Sequence, residues 1–236
     1  MCNIVYEDNH LLIVVKPPNL LTQGDATGDA CLLDRMKQYL KTKYQKPGEV
    51  YLGCVHRLDR PVGGLVALAK TSKAAARLSE QLRAHAMRRD YLAVVTGADI
   101  PAEGTLTDWL MKDERTGSVR CVPENTPDAQ KATLHFRTLA TGENRTLLHI
   151  SLETGRKHQI RAQLAHFSYP IVQDMRYGSG EAGEPIALWG AALCLTHPTL
   201  KTPMAFVSKP QGKAFAPFDS AVDAFLAQVK SAEPNA

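Results

Sequence analysis

The residues best suited to chemistry lie in one turn. Residues 55–65 read Val-His-Arg-Leu-Asp-Arg-Pro-Val-Gly-Gly-Leu, a charged stretch between the apolar runs 51–55 and 64–69. Turns at strand ends are where a scaffold presents functional groups. Asp59 stands between Arg57 and Arg60, whose guanidinium groups favour a carboxylate over the neutral acid. An ionised carboxylate is a potential nucleophile. The bland alternative is an ordinary turn in which Asp59 pairs with one of those arginines. A second polar run, Arg156-Lys157-His158-Gln159-Ile160-Arg161, weakens that alternative, because a donor-rich helix start suits a phosphate or carboxylate. A third basic group, Arg83, His85, Arg88 and Arg89, reads on charge alone as a solvated helix face.

Other chemistries find little support. His158 and His166 are too far apart for a helical metal pair, and Cys194 and His197 have ligand spacing without a second half-site, so no metal is expected. There is no phosphate-binding G-x-x-x-x-G-K-[ST] loop, no G-x-G-x-x-G and no G-x-S-x-G elbow, so no nucleotide cofactor is expected. Gly178, Gly180 and Gly183 read as a flexible connector. Cys54 reads as a core thiol. No second acid lies near Asp59 in sequence to make the pair a glycosidase uses. Five scattered cysteines without a C-x-x-C pair fit a reducing cytoplasm. The net charge, 28 − 24 = +4, permits a nucleic-acid partner without establishing one. The longest apolar runs are strand-length, and the N-terminus carries no secretory pattern.

Pattern and punctuation predict the elements that hold these groups. Short strands are expected at 4–6 and 11–15, the second stopped by Lys16-Pro17-Pro18. Leu32, Leu33, Met36, Tyr39 and Leu40 give a helix over 30–44. The unbroken apolar run 64–69 is a buried strand, after which Thr71-Ser72 caps a helix reaching Met87. Residues 91–95 form a strand, and polar-apolar alternation marks 104–110, 131–138 and 146–153 as half-buried antiparallel strands. A short helix is expected over 156–166, with Gln159, Arg161 and Gln163 off its apolar face, then a strand at 187–195 and a helix over 220–229. The sum is α+β: one catalytic domain over 1–230 on a central antiparallel or mixed sheet flanked by helices, with a flexible tail at 231–236.

Taken together, these residues resemble the RluA-like family of RNA pseudouridine synthases over nearly the whole chain. His56-Arg57-Leu58-Asp59-Arg60 followed by Gly64-Leu65 is similar to the family's H-R-L-D-x-x-x-x-G-L signature. Val5-Tyr6-Glu7-Asp8, Val15-Lys16-Pro17, Asp90-Tyr91-Leu92-Ala93-Val94-Val95 and Thr154-Gly155-Arg156-Lys157-His158-Gln159-Ile160-Arg161 stand in the matching order. The resemblance implies isomerisation of uridine to pseudouridine in structured ribosomal or transfer RNA, with no cofactor. It makes Asp59 the catalytic aspartate, Tyr91 the tyrosine against the target base, Arg161 the aspartate's partner and Ile160 an apolar wall. Arg57 enters the RNA stack when the uridine leaves it. Arg60, Arg88, Arg89, Arg156, Lys157 and His158 are RNA contacts. Val62-Gly63 departs from the Thr-Ser of many members, with Gly63 expected to supply the same bend. No S4-type RNA-binding domain is read ahead of the catalytic one.

The implied reaction breaks N1–C1′, turns the uracil and joins C5 to C1′ without oxidation or hydrolysis. It asks for base extraction, an anionic side chain and confining walls. Attack at C6, attack at C1′ and promotion of sugar-proton loss each use an ionised carboxylate. A non-catalytic RNA binder, expected monomeric like the enzyme, is the main rival, but an anion in its cleft would weaken phosphate binding. A glycosyl hydrolase using Asp59 is the other rival, and it would release free uracil.

Overall fold

The computed structural model describes residues 2–180 and 183–232. In chain order its elements are β1 (Asn3–Glu7), β2 (Leu11–Lys16), α1 (Leu32–Lys43), β3 (Gly53–Cys54), β4 (Gly63–Ala69), α2 (Ser72–Arg83), β5 (Arg88–Thr96), β6 (Glu103–Lys112), β7 (Val119–Val122) and β8 (Gln130–Thr141). They continue with β9 (Arg145–Leu152), α3 (Gln159–His166), β10 (Leu188–Thr196), β11 (Pro203–Val207), a 3-10 turn (Lys213–Phe218) and α4 (Asp219–Ser231). The architecture is α+β with predominantly antiparallel pairing. From residue 233 on, the expected tail lies outside the described residues, as do residues 181 and 182 of the glycine-containing connector.

The chain divides into two compact units. Among the described residues, the first comprises 2–88, 190–208 and 226–232, the second 89–180, 183–189 and 209–225. In the first unit, β1 and β2 form a hairpin whose turn is built by Asp8, which accepts from the main-chain N–H groups of His10 and Leu11 at 2.7 Å each. β2 then pairs antiparallel with β4, Leu11 opposite Ala69 and Lys16 opposite Gly64. Both strands are buried along their length, which is why each reads as an unbroken apolar run rather than an alternation. Gly64 is the position where glycine is required. Its φ is +129°, and a Cβ there would lie 2.4 Å from the backbone N and O of Gly190. Gly63, expected to supply the bend, is an ordinary strand residue without positive φ.

Helix α1 is tied to β1 through Glu7, which accepts from Tyr39 at 2.9 Å, Lys43 at 2.8 Å and Tyr44 at 2.6 Å. Thr71 caps α2, accepting from the Ala74 N–H. That helix stops at Arg83 rather than Met87, because His85 turns left-handed at φ +54° and releases the chain toward β5.

The second unit is an antiparallel sheet in the order β5, β9, β8, β6, β7. Helix α3 covers β6 and β7, and Leu110, Val119, Ala132 and Ala162 form the contact core, with Cys121 and Tyr177 packed against it. The expected polar face of α3 does not exist: all six residues from Gln159 to Leu164 are buried. Each polar one is buried because it meets a partner. Strands β3, β7 and β11 and the 3-10 turn were not legible in the sequence, being two to six residues long with too few positions to show a period.

Candidate active site

The 56–60 segment is held by its even-numbered residues. His56 is buried, and its Nε2 accepts from the Ala67 N–H at 3.0 Å, so the ring proton sits on Nδ1. Leu58 is held through its main chain: Thr22 Oγ1 accepts from the Leu58 N–H at 3.1 Å and donates to the Leu58 carbonyl at 2.7 Å. The Arg60 carbonyl accepts from Lys16 Nζ at 3.1 Å. With 56, 58 and 60 fixed, the odd positions point outward: Arg57 is exposed and Asp59 half-buried. A turn closed by the Val62 N–H on the Asp59 carbonyl, 3.0 Å, follows at once. The loop therefore presents the carboxylate on a rigid mount, as a catalytic group requires.

Lys16 is the residue that sequence reasoning undervalued. It ends β2, is fully buried, and its ammonium donates to the carbonyls of Pro17 at 3.1 Å, Leu20 at 2.7 Å and Arg60. Burial draws its pKa down to about 7 against the opposing charge of Asp59. The visible signal was a cation closing a strand otherwise composed of Leu, Ile and Val. The ion pair of Arg60 is elsewhere, on Asp29 at 2.6 Å with both side chains about half exposed, so the arginine expected to flank Asp59 is engaged at the surface. Arg88 is exposed and donates to Cys194 Sγ at 3.3 Å.

In the second unit, Tyr91 lies on β5 opposite Ile150 and is buried. The donor-rich run forms the entry to α3. His158 adopts a left-handed conformation, φ +53°, immediately before the helix and shares a 2.8 Å hydrogen bond with the Tyr177 hydroxyl. Gln159 replaces a side-chain cap: its Oε1 accepts from Thr154 Oγ1 at 2.8 Å and the Arg156 N–H at 3.0 Å, while its Nε2 donates to the Thr133 carbonyl. Arg156 and Lys157 are exposed. Arg89 is half-buried, its guanidinium over Gly155, where a Cβ would lie 3.0 Å from Nη1. Ile160 is buried.

Arg161 is also buried and forms a two-bond ion pair with Asp174, Nε to Oδ2 at 2.8 Å and Nη2 to Oδ1 at 2.9 Å, with its guanidinium 5.2 Å from the Tyr177 ring centre. Burial opposes ionisation of Asp174, but Arg161 and the N–H groups of Arg176 and Tyr177 outweigh it and lower the pKa. Asp174 and Tyr177 carry no signal in the sequence, since they lie in an irregular loop whose spacing follows no period.

Asp59 thus lies on the held 56–60 segment, and Arg161 is buried near the start of α3. The family model described as RNA pseudouridylate synthase matches residues 10–166, a span that includes Asp59, Tyr91 and Arg161. The chain belongs to that family. An uncharacterized RNA pseudouridine synthase of Bacillus subtilis (strain 168) is 35% identical over 181 residues, 75% of this chain and 58% of that protein. Ribosomal large subunit pseudouridine synthase D of Yersinia pestis is 35% identical over 177 residues, 75% of this chain and 52% of that one. The chain thus spans about half the length of the curated relatives it matches. Among solved structures, human RNA pseudouridylate synthase domain containing 4 has a TM-score of 0.73 at 22% identity, covering 95% of this chain and 93% of that one. Human RNA pseudouridylate synthase domain containing 1 also has a TM-score of 0.73, at 17% identity, covering 100% and 97%. These two establish the pseudouridine synthase fold. No helix among the described residues is long and apolar enough to cross a membrane.

Proposed function

We propose that this pseudouridine synthase family member isomerises uridine to pseudouridine in structured ribosomal or transfer RNA, with Asp59 as its essential carboxylate. The observation that carries the reading is the mount of residues 56–60, in which two buried hydrogen bonds and a part-buried one hold the segment around the half-buried Asp59. A surface turn with no task has no need of a buried lysine and a buried threonine beneath it. The remaining roles are those that the sequence resemblance implies. Tyr91 packs against the target base, Ile160 walls it, and Arg161, held by Asp174, is the arginine that the resemblance makes the aspartate's partner. Arg57 enters the stack in place of the flipped uridine. The exposed cations Arg60, Arg88, Arg156 and Lys157, together with Arg89 and His158, contact the RNA, and contacts of this kind supply affinity that falls with salt.

The reaction neither gains nor loses atoms, so the residues need only extract, hold and turn the base. We assign residues 1–230 to one catalytic domain acting as a cytoplasmic monomer. The test is a nucleoside analysis of RNA from cells lacking this protein, before and after incubation with it. Pseudouridine formed at the expense of uridine, without free uracil, supports the isomerase. Free uracil marks a hydrolase instead, and unchanged nucleosides with retained RNA binding mark a binder; either overturns the assignment.

A further inference from the structure

Three metal-ligating residues from different elements meet on the face of the second unit that α3 covers. On β6 and β7, Leu110 stands opposite Cys121. Asp108, two residues before Leu110, shares its sheet face and is the diagonal neighbour of Cys121. Gln163 and His166, three apart on α3, project from one side of the helix. As a result the ligand atoms of Asp108, Cys121 and His166 all lie within 4.8 Å of one another, and His166 Nε2 is 3.8 Å from Asp108 Oδ1. The other carboxylate oxygen is held from behind: Gln163, fully buried, donates from Nε2 to Asp108 Oδ2 at 2.7 Å. Gln163 is itself fixed by the carbonyls of Leu106 and Ala132, each 3.2 Å away.

We propose that Asp108, Cys121 and His166 form a binding site for a zinc-class divalent ion. The donor set decides the class. One sulfur, one imidazole nitrogen and one carboxylate oxygen suit a borderline ion such as Zn²⁺, whereas Mg²⁺ and Ca²⁺ take oxygen alone. Ligand bonds of about 2.0–2.1 Å at a tetrahedral angle separate N and O by about 3.3 Å, so the 3.8 Å pair needs to close by only a fraction of an ångström. His166 can supply that movement, being the last residue of α3 with its side chain 62% exposed. A carboxylate fixed by a hydrogen bond to its second oxygen is the usual support around a metal. The thiol of Cys121 gives its proton to solvent as the sulfur takes the ion. Three protein ligands leave a fourth position for water.

The site takes no part in the uridine chemistry proposed above. It clamps the C-terminal end of α3 to β6 and β7, and so braces the helix that carries Ile160 and Arg161. The periodic metal motifs of a sequence do not reveal it, because the ligands come from two strands and a helix.

The direct test is titration of the protein with Cd²⁺, which reports sulfur ligation by a thiolate-to-metal charge-transfer absorption, followed by competition with Zn²⁺. The expected result is one equivalent of Cd²⁺ giving the band, its displacement by Zn²⁺, and a higher melting temperature with either ion. Cys121→Ala and His166→Ala should each fold, by circular dichroism, and bind at least about tenfold more weakly. Cys54→Ala should keep the band. Cys121→Ser, nearer in volume, replaces Cys121→Ala if the alanine variant is unstable. A band that persists without Cys121, an affinity indifferent to His166, or no band in the native protein each overturns the proposal.

Discussion

Replacing Thr22 by valine isolates the mount beneath Asp59. Thr22 is 3% exposed and Leu58 6%, so no water can take over the two hydrogen bonds that the threonine hydroxyl makes to the Leu58 main chain. Valine keeps the shape and loses the hydroxyl, leaving one N–H and one C=O buried without a partner. Each such group costs about 1–3 kcal/mol, and burying a methyl in place of a hydroxyl returns about 1 kcal/mol. The expected loss is therefore about 3 kcal/mol, read as the shift of a urea unfolding midpoint at constant slope. Thr22→Ser keeps both bonds and loses one methyl, for about 1 kcal/mol. Isomerisation by Thr22→Val should fall well below that of Thr22→Ser, because residue 59 follows the released residue 58. A Thr22→Val protein within about 0.5 kcal/mol of native, or as active as Thr22→Ser, would refute the argument that this hydroxyl fixes the loop.

Lys16 gives a pH signature. Its folded pKa, about 7, lies below the unfolded value of about 10.4, so the cost of burying the ammonium is fully present below pH 7. It is relieved as pH rises through that window, where the unfolded chain holds the extra proton; stability should climb by up to about 1.4 kcal/mol per unit relative to Lys16→Met. Parallel curves for the two proteins would contradict this. Gly64→Ala should yield no folded protein, since its Cβ would overlap the Gly190 backbone; soluble variant of native stability would count against the close approach. Asp174→Ala breaks a buried ion pair and should cost about 3–5 kcal/mol in chemical unfolding, and a cost below 1 kcal/mol would mean that this pair contributes little to the fold.

Elements with long, strong patterns were legible in the sequence, and the reason is physical. β2 and β4 are buried on both faces and carry unbroken apolar runs, while α1 shows its heptad-like spacing and Thr71 its cap. α3 misled because its polar residues do not face water; Gln159, Arg161 and Gln163 are buried with partners drawn from β6, β8 and the 170–178 loop. The signature turn was visible as a dense motif, yet its supports were not. Lys16 lies some forty residues upstream and Thr22 nearly as far, and only the fold brings them under residues 58 and 60. The same holds for Asp174 beneath Arg161. Side chains that act by pairing across long sequence distances leave no period to read.

The account's central claim is that Asp59 drives an isomerisation. It is tested most directly by tritium release from RNA labelled at uridine C5, prepared from cells lacking this protein and incubated with the native chain or with Asp59→Ala. The account predicts release by the native protein, none by the variant, and no free uracil in either reaction. Equal release by both proteins, or none from any cellular RNA while both bind it tightly, would contradict it.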